Sequence, residues 1–91
     1  MIINITKAVR GEMEYRADIV KEMLDWLHLN AGEYLAYDAD IEKDPYNYAI
    51  GRGWKIVMRH EPQPIIKSMR KVWELEISDD ALGEMFILKF L

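Results

Sequence analysis

Along residues 12–31 the apolar positions recur every three or four residues. Met13, Ala17, Val20, Leu24, Leu27 and Ala31 make one row, and Tyr15, Ile19, Met23 and Trp26 widen it. At 100° per residue this arc covers about half of a helical circumference, and Glu14, Asp18, Lys21, Glu22, Asp25 and His28 occupy the other half. The pattern predicts one long amphipathic helix. Gly11 interrupts the chain before it, Glu12 and Glu14 bring negative charge to the positive end of the helix dipole, and Asn30-Ala31-Gly32 predicts a left-handed stop. The like-charge pairs Glu14/Asp18 and Asp18/Glu22 oppose the favourable pair Glu12/Arg16, so packing must hold this helix.

Elsewhere the period is closer to two. Residues 1–9 are rich in β-branched side chains on both faces and predict a strand that is covered twice, hence central in its sheet. Residues 33–38 alternate Leu35 and Tyr37 against Tyr34 and Ala36, residues 46–50 read as a short strand or loop, and residues 54–60 set Trp54, Ile56 and Met58 against Lys55, Val57 and Arg59. From residue 65 the pattern divides. Ile65, Ile66, Met69, Val72 and Trp73 recur at helical spacing behind Pro64 and predict a helix to about Trp73. The rival pattern is a strand over residues 72–77, turned back through residues 78–83. Residues 84–91 are almost wholly apolar and predict a buried closing strand.

The favoured order is strand, helix, strand, strand, helix, strand, that of the ferredoxin-like βαββαβ arrangement. The predicted fold class is therefore α+β, a single domain over residues 1–91 in which an antiparallel sheet carries one long amphipathic helix and a second helix. The hairpin alternative leaves one helix on a curled antiparallel sheet, and is also α+β.

With 91 residues, 51% hydrophobic and 31% charged, the composition is that of a globular chain and excludes disorder as a class. Cysteine is absent, which removes disulfides, thiolate metal sites and cysteine nucleophiles. The first residues lack a basic leader followed by a long apolar run, and no window approaches 18 apolar residues. A cytoplasmic location is expected, within a host cell if the chain is virus-encoded.

The net charge of −4 is unevenly spread. Residues 12–44 carry a net −7, residues 45–91 a net +1 and residues 1–11 a net +2. An acidic half repels a nucleic-acid backbone and attracts a basic partner, so nucleic acid is not the expected ligand.

Candidates for catalysis are few. His28 and His60 match no paired-histidine metal spacing, and Ser68 and Ser78 lie in no nucleophile elbow. Gly51-Arg52-Gly53 is too short to cradle a phosphate and reads as a turn. Asp38, Asp40, Glu42 and Asp44 carry the charge of a calcium loop, but Lys43 and Ala49 stand where its glycine and final glutamate belong. No enzyme activity, cofactor or metal is expected. Residues 52–59 partly resemble the octamer of the RNA-recognition motif. Arg52, Gly53, Trp54 and Val57 fit it, while Ile56 and Arg59 occupy the positions of the base-stacking rings.

Tyr34, Tyr37, Tyr46 and Tyr48 fall within fifteen residues that also contain the acid run Asp38, Asp40, Glu42 and Asp44. Tyrosine supplies contact area at low side-chain entropy and carboxylates supply steering, a mixture suited to recognising a basic protein surface. The plainer alternative is that Tyr37 and Tyr48 pack in the core beside a solvated acidic loop. The expected function is a small non-enzymatic interaction module, an inhibitor or antagonist whose carboxylates can stand in for phosphates. Phage anti-defence and immunity proteins share this acidic profile by size and charge alone. Tyr15, Ile19 and Trp26 form a candidate homodimer patch, should the chain itself not cover them. The alternative reading is a nucleic-acid-binding domain using Arg52, Trp54, Lys55 and Arg59 with Lys67, Arg70 and Lys71.

Overall fold

The computed structural model describes residues 1–11, 14–66 and 68–91. Its elements run β1 (Ile2–Asn4), α1 (Thr6–Arg10), α2 (Ala17–Asn30), β2 (Tyr34–Ala36), β3 (Tyr46–Gly51), β4 (Trp54–Pro62), β5 (Met69–Ile77) and α3 (Asp80–Phe90). The strands form one antiparallel sheet in the order β1-β5-β4-β3-β2. The α+β class holds, but the ferredoxin-like order does not: two helices follow β1, four strands follow in succession, and a helix ends the chain.

One sheet face makes the core. The register sets Trp54 opposite Ile77, Ile56 opposite Leu75 and Met58 opposite Trp73, and Ile3 lies beside Leu75. Against this apolar row pack Val20, Met23 and Leu27 of α2, Val9 of α1 and Phe86 of α3. The other face is charged. Lys55 pairs with Glu76 at 3.6 Å, Arg59 with Glu74 at 2.7 Å and with Glu61 at 3.0 Å, and Arg70 with Glu61. Val57 and Val72, both buried, alternate with these pairs, so the aliphatic stems of the charged side chains shield a second, thinner apolar layer.

The predicted central strand is an edge. After Asn4 the chain turns into α1, and the Thr6 hydroxyl oxygen accepts the Trp73 amide at 2.9 Å, ending the ladder. The long helix starts at Ala17, later than its apolar period implies. Glu12 and Met13 lie outside the described residues, and Gly11, with φ of +56°, closes α1 before them. Gly32 is not left-handed. Its role is close approach, since a Cβ there would stand 1.9 Å from the Arg52 carbonyl oxygen.

Residues 69–77 are a strand where a helix was expected. Ile65 is 94% exposed, and Ile66 and Met69 also face solvent, so the helical spacing of these residues marks no core. The alternation that matters is Trp73, Leu75 and Ile77 against Glu74 and Glu76, which pairs with β4 over its whole length. The final segment is a helix, not a strand: Asp79 caps it through the Leu82 amide at 3.1 Å, and Leu82, Phe86 and Phe90 form one inward row. Among the described residues no helix is long and apolar enough to cross a membrane.

Candidate functional site

The segment singled out for its acids and tyrosines forms the free edge of the sheet and the connection that leads away from it. β2 pairs with β3 alone, so its other side presents open backbone groups. Three contacts fix it. The Tyr34 amide donates to His28 Nδ1 at 2.9 Å, the Arg52 amide donates to the Glu33 carbonyl oxygen at 2.8 Å, and the Arg52 guanidinium pairs with the Glu33 carboxylate at 2.9 Å. The first ties the edge strand to the last turn of α2, and the other two to the β3–β4 turn.

The four alternate acids do not share one direction. Asp38 accepts the Asn47 amide at 2.8 Å and pairs with Lys43, closing the connection onto the start of β3. The Asn47 N–H, helped by Lys43, holds this carboxyl below the ordinary aspartate value. Asp44 accepts the His60 amide at 3.2 Å and so fastens the far end of the segment to β4. Asp40 accepts the Glu42 amide in a local turn, and both side chains remain open to solvent. Two acids therefore hold the loop and two are presented by it.

The tyrosines divide likewise. Tyr48 packs edge-on against Trp73 at 5.2 Å, its hydroxyl 3.1 Å from that of Tyr15, and Tyr46 packs against the core. Tyr34 and Tyr37 are 41% and 64% exposed, so Tyr37 is not a core residue. Two residues that the sequence reading passed over stand with them: Leu35 at 52% and Ile41 at 73% exposure. Ile41 was visible as an apolar residue inside an acid run. The edge strand and the loop after it thus expose aromatic and aliphatic side chains, and the same loop carries the exposed acids Asp40 and Glu42.

The candidate dimer patch is engaged inside the chain. Trp26 meets Phe86 and Phe90 edge-on at 5.8 and 6.3 Å, Ile19 packs against the core, and Tyr15 lies against Trp73 at 6.1 Å. Burial and the Tyr48 hydroxyl together push the Tyr15 phenol pKa well up, which keeps it neutral.

Several residues of the nucleic-acid reading are engaged within the fold, while Lys71 is exposed and in no ion pair among the described residues. Trp54 is buried and its indole N–H donates to the Gly32 carbonyl oxygen at 2.7 Å. Arg52, Lys55 and Arg59 are paired with Glu33, Glu76 and Glu74, and Arg70 with Glu61. Lys67 lies outside the described residues. Among the described residues no group of three or more His, Cys, Asp or Glu side chains could hold a metal ion. Comparison with family models, curated proteins and solved structures finds no match to this chain.

Proposed function

We propose that this protein is a non-enzymatic interaction module, an inhibitor or antagonist, whose β2 edge and following loop dock on a basic surface of a partner protein. The observation that carries this reading is the exposure of Tyr34 and Leu35 on the edge strand and of Tyr37, Ile41, Asp40 and Glu42 on the loop that follows, a segment held by His28, Arg52 and Asp38. A rigid edge loses little entropy on binding, aromatic anchors supply the affinity and the carboxylates steer the encounter. A partner site that ordinarily holds phosphates has the complementary charge, with Asp40 and Glu42 in the phosphate positions.

The test is affinity capture from host lysate with wild type beside two variants, D40N/E42Q and Y34A/Y37A. A basic protein retained by wild type and lost from both variants supports the reading. A hot-spot tyrosine worth about 2 kcal/mol corresponds to roughly thirty-fold in affinity, enough to empty a pull-down. Equal retention by all three proteins sinks it. Asp38 and Asp44 stay intact in both variants because the loop's shape depends on them.

A further inference from the structure

β5 outruns β1. Asn4 pairs with Glu74, Thr6 takes the next amide, and the first residues of β5, from Met69, continue with no strand on that side. α1 stands off from this projecting end and leaves a groove of about 810 Å³ between them. Lys7 and Arg10 line it from α1, Arg70 and Lys71 from β5, with Thr6 and Gln63 between. Among the described residues no carboxylate lines it, although Asp and Glu together outnumber Lys and Arg in the chain by sixteen to twelve. Arg70 is tied to Glu61, but among the described residues Lys7, Arg10 and Lys71 have no carboxylate within ion-pair distance. These three cations are exposed, and a bound anion would meet charges that no ion pair among the described residues occupies.

We propose that this groove binds the phosphate backbone of a nucleic acid strand. The cations come from two elements on opposite walls, which suits a repeating charge rather than a single phosphate. Among the described residues Met69 is the only apolar side chain of the lining and no aromatic ring lines it, so the groove offers backbone contacts rather than a platform for a base. Within the acidic β2–β3 connection Asp44 stands beside β4, bonded to the amide of His60, which pairs with Lys71, while Asp40 and Glu42 are exposed and screened by salt. Arg70 and Lys71 belong also to the nucleic-acid reading of the sequence, whereas Lys7 and Arg10 do not, and the site does not rest on the proposed docking of the β2 edge.

Fluorescence anisotropy with a labelled single-stranded oligonucleotide of mixed sequence tests it. Wild type is expected to bind with Kd on the order of 10⁻⁴ to 10⁻⁶ M at moderate salt, and three phosphate contacts give a log–log salt slope of about −2. K7Q/R10Q should weaken binding about tenfold or more and bring the slope to about −1, while K7R/R10K and the control R52Q keep wild-type behaviour. Unchanged circular dichroism establishes that each variant is folded. No binding by wild type, undiminished binding by K7Q/R10Q, or loss of binding in K7R/R10K overturns the proposal. Displacement by poly-glutamate as readily as by unlabelled oligonucleotide also overturns it, since the groove would then be a site for an acidic polypeptide.

Discussion

A methyl group on Gly32 would meet the Arg52 carbonyl oxygen at 1.9 Å, and one on Gly51 would meet the Trp54 ring at 2.0 Å. Both glycines serve the same joint, where the end of α2, the β3–β4 turn and the Trp54 indole come together. The Trp54 bond to the Gly32 carbonyl oxygen keeps that joint closed. Gly32→Ala should therefore cost about 1–3 kcal/mol in urea denaturation, the range for overpacking, and loosen β2 with it. Asp38 sets a second residue-scale property. Its folded pKa lies below the ordinary value of 3.8, so its contribution is complete above that value and disappears as pH falls through and below it. D38N should be less stable than wild type at neutral pH and lose less on acidification, so the two unfolding midpoints converge as pH falls below 3.8. Midpoints that stay parallel over that range would show that Asp38 is not linked to folding. Neither property could be read from the chain alone, since Gly32 is part of an ordinary helix-stop pattern and Asp38 one of four equivalent acids.

At the scale of elements, the amphipathic stripe of α2 and the alternation of β4 were legible because each carries most of its large apolar side chains on one face, Val57 of β4 being buried on the other. In α2 Val20, Met23 and Leu27 are buried, while Leu24 and Ala31 of the expected row are half-buried and Ala17 is exposed, so the stripe turns toward Met23. The misread elements are those whose burial is set by neighbours. β5 has Val72 buried on one face and Trp73, Leu75 and Ile77 on the other, so its apolar residues mimic a helical spacing until the β4 partner supplies the register. α3 looks like a buried strand because Met85, Leu88 and Leu91 remain exposed beside the inward row of Leu82, Phe86 and Phe90. A direct check compares two substitutions. Leu75→Ala removes a fully buried side chain and should cost about 2–5 kcal/mol, whereas Ile65→Ala should stay within about 0.5 kcal/mol. Equal costs would restore the helical reading of that segment.

For the whole molecule, the consequential property is where charge is left over. The ion pairs on the outer face of the sheet take up Lys55, Arg59 and Arg70, three of the seven Lys and Arg of residues 45–91. Among the described residues, the charges in no ion pair include Asp40 and Glu42 on the β2–β3 connection and Lys7, Arg10 and Lys71 at the groove between α1 and β5. The two surfaces should act independently at physiological salt. D40N/E42Q is expected to leave oligonucleotide affinity within about twofold of wild type, because neither residue lines the groove and salt screens exposed charges. A larger change, in either direction, would mean that the acidic loop and the groove are coupled.

Local pattern determined the α+β class, the long helix, the β4 strand and the acidic, tyrosine-rich segment, because periodicity and charge are carried by neighbours in the chain. Tertiary structure alone decided that residues 69–77 pair as a strand, that β1 is an edge, and which acids hold the loop and which face outward. It also brought Lys7 and Arg10 to within one groove of Arg70 and Lys71. These outcomes depend on register and on contacts between residues as many as 67 positions apart, such as Thr6 with Trp73. Such contacts leave no periodic trace in a sequence, since they become favourable only when both partners are already buried together.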